Sequence, residues 1–191
     1  MALNTFAFIS RTGGGKGTQA ELLSKKTGFE IFSTGGKFRE LRVRRDELGE
    51  RVRREYDIGL LMPSWFATLL FQETIVYRPF HEGIIFEGAC RKIFEAEMFH
   101  EVLTWLEREY KVIYLDISEE TSIKRQLLRS KVDATRVESD SEEKLRVRAR
   151  EFDKHTAPAL DFFRKKGVVI DIDGEPSIEE IHRDITLKLG L

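Results

Sequence analysis

The chain has 191 residues, enough to bury a sizeable core in one domain without help from disulfides or metal. Its 32 basic and 33 acidic residues leave a formal charge of -1, which argues against a broad grip on nucleic acid and leaves any polyanion binding to local basic clusters. A single cysteine, Cys90, excludes an intrachain disulfide and a zinc site built from several thiolates, and no apolar run approaches the roughly 18 residues of a membrane span. The opening residues hold no cationic stretch ahead of a long apolar one, so a soluble, unexported, cytoplasmic chain is expected.

In chain order, the first β-rich run is residues 5–9, and it leads straight into Ser10-Arg11-Thr12-Gly13-Gly14-Gly15-Lys16-Gly17-Thr18. A helix is expected to follow over 18–26. Consecutive glycines let backbone N–H groups turn inward around phosphate oxygens, the helix N-terminus adds positive potential, and Lys16 adds a full charge. Turn geometry alone would not ask for three glycines followed by lysine at a strand-to-helix junction. The generic phosphate-loop pattern wants glycine at Ser10 and Ser or Thr at Gly17, so two positions depart from it.

Further β-rich runs lie at 29–32, 83–86, 112–115 and 168–170, with helices expected over much of 36–56 and over 65–77, 93–109, 120–128 and 142–166. Pro158 is expected to kink or split the last of these. Short apolar strands alternating with helices predict an α/β fold, a five-stranded parallel sheet with helices on both faces. Residues 39–54 and 129–150 are unusually charged, which reads as solvated helix faces or as mobile inserts. Glu87-Gly88-Ala89-Cys90-Arg91 follows the third run: a carboxylate at a strand end can hold the water shell of Mg²⁺, and an arginine can grip a phosphate bidentately. Cys90 itself reads as a small buried filler, and His81, His100, His155 and His182 show no ligand spacing.

Several of these segments, in this order, resemble the adenylate kinase family. Gly15-Lys16-Gly17-Thr18-Gln19 is similar to its GKGTQ signature, Ser33-Thr34-Gly35 with Arg39 to its STG and arginine segment, and Asp57-Ile58-Gly59-Leu60-Leu61-Met62-Pro63 to its DxGxLVP turn. Glu87-Gly88-Ala89-Cys90-Arg91 stands where the family has DGFPR. Arg129, Arg136-Val137 and Arg148 resemble the arginines of its short-lid members, and Thr156-Ala157-Pro158 and Asp173-Gly174 resemble its closing segments. Ser10 and Thr12 replace the family's glycine and proline.

The resemblance implies one kinase domain with a monophosphate-binding insert at 34–63, a short lid at 129–148 and a phosphate-binding loop at 10–18. It implies transfer of the terminal phosphoryl group of MgATP to AMP, giving two ADP, by a monomer that binds neither nucleic acid nor membrane. ATP is expected on Lys16, on the backbone of Gly13, Gly14, Gly15, Gly17 and Thr18, and on Arg125 and Gly174. AMP is expected on Thr34, Arg39, Leu61, Met62, Gly88, Arg91 and Glu95. Arg129, Arg136 and Arg148, with Lys16 and Arg91, are expected around the transferring group, Glu87 is expected to orient Mg²⁺ through water, and no zinc is expected. Glu95 stands where the family usually carries a glutamine that reads the adenine edge, and an ionised carboxylate only accepts hydrogen bonds. A kinase for GMP, UMP or CMP therefore stays open beside the AMP reading, as does a nucleotide-binding regulator without turnover.

Overall fold

The computed structural model describes residues 3–132 and 142–191. Strands β1 (Thr5–Ser10), β2 (Glu30–Ser33), β3 (Ile84–Glu87), β4 (Tyr110–Asp116) and β5 (Val169–Asp173) form one parallel sheet in the order β2-β3-β1-β4-β5. Alternation along each strand sends Phe6, Phe8, Ile85, Ile113 and Leu115 to one face and Ala7, Ile9, Ile84, Phe86, Val112 and Tyr114 to the other. Both faces are buried, which is why the strands read as unbroken apolar runs. The strands end one to three residues later than those runs. Ser10 pairs with Leu115, Ser33 with Glu87 and Asp116 with Asp173, because ladder bonds are made by the backbone and need no apolar side chain.

Helices α1 (Lys16–Thr27) and α9 (Ile178–Leu189) cover the first face through Ala20, Leu23, Ile181 and Ile185. Helix α9 is started by a capping box between Ser177 and Glu180 and closed by Gly190 in the left-handed region. Helices α4 (Ser64–Val76), α5 (Ile93–Trp105) and α8 (Ala157–Lys165) cover the second face. There Phe99 is the hub, edge-on to Phe71, Phe86, Tyr110 and Phe163 with ring centroids 5.3 to 6.3 Å apart.

The helix expected across 36–56 is two: α2 (Thr34–Arg42) and α3 (Glu47–Tyr56). Asp46 breaks the run by capping α3, its carboxylate accepting from the Gly49 backbone at 3.0 Å. A Cβ at Gly49 would stand 2.3 Å from the Arg44 carbonyl oxygen, so only glycine allows the chain to fold back this tightly. These helices share a small apolar cluster with α4, made of Phe38, Val52, Met62, Phe66 and Ala67. Helix α6 (Glu119–Val132) follows β4. The helix expected over 142–166 consists of α7 (Glu142–Glu151), a π-helical turn at Phe152–Thr156, and α8. The wide turn makes the split, and Pro158 sits in the first turn of α8, where its missing N–H costs little. Among the described residues no helix is long and apolar enough to cross a membrane.

At the end of the sheet away from the loop after β1, Arg108 is only 4% exposed. It donates to the carbonyls of Pro79 and Glu82 at 3.2 and 2.7 Å and to Asn4 Oδ1 and Thr5 Oγ1 at 3.4 Å, tying the loop before β3 to the start of β1. Removing the guanidinium leaves several acceptors without a donor. Arg108→Ala is expected to lower unfolding stability by about 2–4 kcal/mol in urea titration with wild-type turnover per folded molecule.

Candidate active site

In an open parallel sheet the crevice lies where the crossovers change direction, beyond the carboxyl ends of the strands. Here that point is β1, flanked by β3 and β4, and a cleft of about 760 Å³ opens over it. Among the described residues seven basic side chains line it, Lys16, Arg39, Arg42, Arg91, Arg125, Lys144 and Arg148, against four carboxylates, Glu21, Asp57, Glu87 and Glu95. A chain with 32 basic and 33 acidic residues has thus gathered an excess of positive charge in one place. Such a cleft suits a multiply charged anion.

One wall is the loop from Ser10 to Lys16. Gly13 and Gly15 both have φ of +84°, while Ser10 finishes β1 with an ordinary φ, so the side chain there does not disturb the curvature. Gly15 precedes α1 with no side-chain cap, and no acidic residue stands in the first turn. A helix start of this kind, with glycines ahead of it and no acidic residue in its first turn, is one that an anion can occupy. Lys16 Nζ donates to the carbonyls of Ser10 and Arg11 at 3.1 and 3.0 Å. Thr12, Gly13, Gly15, Lys16, Gly17 and Thr18 line the cleft, whereas Gly14 packs back on Ser10, where a Cβ would meet the hydroxyl at 1.9 Å.

The opposite wall comes from α2, the turn before α4, and the loop after β3. Thr34, Arg39, Leu61, Met62, Gly88, Arg91 and Glu95 all line the cleft. The Thr34 hydroxyl is buried without a hydrogen-bond partner, a state that a bound ligand would relieve. Gly88 has φ of +77°, and a Cβ there would stand 2.9 Å from Arg91 Nη2, so the glycine lets the guanidinium lie against the loop. Thr156 Oγ1 donates to the Arg91 carbonyl at 3.0 Å and Lys92 Nζ to the Met62 carbonyl at 3.0 Å, fixing this loop against its neighbours. The Leu61 N–H donates to Glu151 Oε2 at 3.1 Å, which brings the turn at 57–63 onto α7.

Two carboxylates in the cleft have opposite electrostatics. Burial opposes the charge on Glu87, but Lys16, a 2.7 Å hydrogen bond from Ser33 Oγ, Arg91 and Arg39 outweigh it and hold the carboxyl below its ordinary range. Glu87 is therefore ionised at neutral pH and suits a hydrated divalent cation. Glu95, 3% exposed, is pushed by burial up to about 7, against the Arg91 N–H bond at 2.8 Å and the charges of Arg91 and Lys92. Cys90, fully buried with φ of +61°, has its thiol pushed up by burial and by Glu95, which makes it no nucleophile.

Arg125 and Arg148 complete the cleft. Arg125 donates to the carbonyls of Gly174 and Glu175 at 2.9 and 3.1 Å, and Arg148 Nη1 donates to Gln126 Oε1 at 3.3 Å. Gly174 itself packs against Ile117 and the Asp116 carbonyl and is not among the lining residues. Arg129 lies on α6 at a position whose side chain is outside the described residues, and Arg136 is outside them altogether. Arg146 and Arg150 are exposed, as a helix spacing of two from Arg148 requires. Phe38, Arg42, Tyr56, Ala67 and Lys144 line the cleft unforeseen. Arg42 carries the one signal that could have found it, lying three residues beyond Arg39 on the same helix face and paired with Asp57.

The family model described as adenylate kinase matches residues 8–168. The adenylate kinase of Archaeoglobus fulgidus is 30% identical, over 93% of this chain and 94% of its own length. That of Flavobacterium johnsoniae is 32% identical over 93% and 94%, and that of Rhodopirellula baltica 34% over 93% and 91%. The matched span takes in every described residue that lines the cleft. With similarity running through nearly the whole sequence and through the walls of its charged cleft, the chain belongs to the adenylate kinase family.

Proposed function

We propose that the chain reversibly moves the terminal phosphoryl group of MgATP onto AMP, giving two ADP. The observation that carries this reading is the ionised Glu87 set among Lys16 of the phosphate loop and Arg39 and Arg91 of the opposite wall. A cleft that only stored one nucleotide would have no need of cations on both sides of a carboxylate. The acceptor is itself a phosphate oxyanion, so positioning and charge neutralisation suffice, with no nucleophilic side chain and no histidine base.

In this reading Lys16 and the backbone from Gly13 to Thr18 hold the ATP phosphates, with Arg125 on the adenine side near Gly174. Arg39 and Arg91 hold the AMP phosphate, and Thr34, Leu61, Met62, Gly88 and Glu95 surround its base. Arg148, together with Arg129 and Arg136, neutralises the group in transfer. A single ionised carboxylate fits Mg²⁺, which keeps most of its waters and is held by one or two carboxylates plus substrate phosphates. Glu87 would hold that shell, and the ion would supply charge neutralisation on the phosphates. Residues 34–63 form the monophosphate insert and 129–148 the lid, which exclude water so that ATP is not hydrolysed. In this reading the chain acts as a monomer on the nucleotide pool of the cytoplasm, as its resemblance to the family implies.

Lys16→Ala is expected to cut kcat at least about a hundredfold, on the order of 3 kcal/mol, with an unchanged fold, since it removes charge stabilisation from the transition state. A coupled assay for ADP is the check, and wild-type turnover in the folded variant would sink the assignment of the loop.

A second reading, another monophosphate as acceptor, is favoured by Glu95. Neutral, its carboxyl offers one donor and one acceptor, as adenine's ring nitrogen and amine require; ionised, it offers acceptors only, which suits guanine's ring N–H and amine. With Glu95 titrating at about 7, kcat/KM for AMP is expected to fall roughly tenfold between pH 6 and 8.5 and to stay flat in Glu95→Gln. GMP outranking AMP at pH 7 would overturn the choice of acceptor. Stability follows the same proton. The folded state keeps it up to about 7 and the unfolded chain loses it near 4.5, so burial of the charge costs nothing below 4.5 and its full amount above 7. Glu95→Gln is therefore expected to gain stability over the wild type at pH 8, by up to about 3 kcal/mol, and none at pH 4.5.

A further inference from the structure

Arg11, the second residue of the phosphate loop, takes no part in the reading above and does not line the cleft. Its backbone carbonyl accepts from Lys16 Nζ at 3.0 Å and from the Gly14 N–H at 3.2 Å, so it belongs to the frame that sets the lysine. Its side chain points the other way. The guanidinium lies 4.6 Å from the centroid of the Phe152 ring, and Nη2 donates to Asp153 Oδ1 at 2.6 Å. Phe152 and Asp153 open the π-helical turn at the C-terminal end of α7, the helix that carries Arg148 into the cleft.

One residue thus touches the seat of Lys16 with its main chain and the base of the Arg148 helix with its side chain. A parallel tie exists on α6, where Ser122 Oγ donates to the Thr12 carbonyl at 2.6 Å. Both helices adjoining residues 133–141 are fastened to the loop. The Asp153 side chain is half exposed, at 53%, so the ion pair adds little to global stability. What stacking on Phe152 and the single Nη2 bond to Asp153 do supply is a direction and a length. Neither neighbour of Arg11 is a proline, so the backbone here is not stiffened by a fixed ring.

We infer that Arg11 is a positioning residue, a strut that sets the distance between Lys16 and Arg148 across the transferring phosphoryl group by clamping the loop to Phe152 and Asp153. Misplacing a catalytic cation by an ångström costs rate far more than it costs folding. The strut therefore belongs to kcat and not to stability or to acceptor binding.

The inference rests on the phosphoryl-transfer reading, and turnover of the wild type with ATP and AMP is measured first to keep the two apart. Arg11→Ala and Asp153→Ala are each expected to lower kcat about tenfold, with KM for AMP and the urea midpoint within twofold and a tenth of the wild-type values. Combined, they should lose no more than Arg11→Ala alone, because that variant already removes the bond that Asp153→Ala breaks. The exchange Arg11→Asp with Asp153→Arg is expected to recover at least threefold over Arg11→Asp. Hydrolysis of ATP without AMP, relative to transfer, should rise in both single variants. Wild-type kcat in either single variant, or multiplicative losses in the double one, would overturn the strut. Should Arg11→Ala fail to fold, Asp153→Ala with the exchange pair decides in the same way. An inactive wild type would overturn the function and the strut together.

Discussion

Like charges repel, and the fold must hold seven cationic side chains, counted among the described residues, around one cleft before any anion arrives to neutralise them. Backbone carbonyls and fixed side chains carry much of that task. Lys16 rests on the carbonyls of Ser10 and Arg11, Arg125 on those of Gly174 and Glu175, and Arg148 on Gln126. Glu87, kept ionised by Lys16, Arg39, Arg91 and the Ser33 hydroxyl, is the counter-charge at the centre. Ser33 does two things at once, donating to Glu87 and capping α2 at the Gly36 N–H. The helix that carries Arg39 is thereby registered to the carboxylate that faces it. Preorganised charge of this kind needs no rearrangement at the moment of transfer.

The stability that supports it lies elsewhere. Two large apolar clusters pack on the faces of the sheet, one of them around Phe99, while the helices at 34–56 share only the small cluster of Phe38, Val52, Met62, Phe66 and Ala67. Less buried apolar area means a smaller free energy of local opening. A well-packed sheet thus holds the phosphate loop, beside a lightly packed unit that holds the wall with Thr34 and Arg39.

Much of this was legible in the residues. The five apolar runs mark the five strands, because both faces of a parallel sheet are buried and its strands must be apolar throughout. Gly13 to Lys16 announces the phosphate loop, since both left-handed φ values there need glycine. The polar strand ends Ser33 and Glu87 were harder to place, as backbone pairing leaves no mark on side-chain type. The break at Asp46 is written in the Asp46 and Gly49 pair, yet it hides inside a charged stretch whose helical character is strong on either side. Arg11 with Asp153 and Leu61 with Glu151 could not be read at all. They join positions far apart in the chain, through an exposed ion pair and a single backbone N–H that follow no local periodicity.

Symmetry of the reaction offers the most direct test of two nucleotides held head to head over one carboxylate. Purified protein would be mixed with Mg²⁺ and ADP alone, and the products followed by phosphorus NMR. ATP and AMP should grow in equal amounts with no inorganic phosphate released. Phosphate release, or ADP left unchanged by a folded protein, would contradict the two-site cleft.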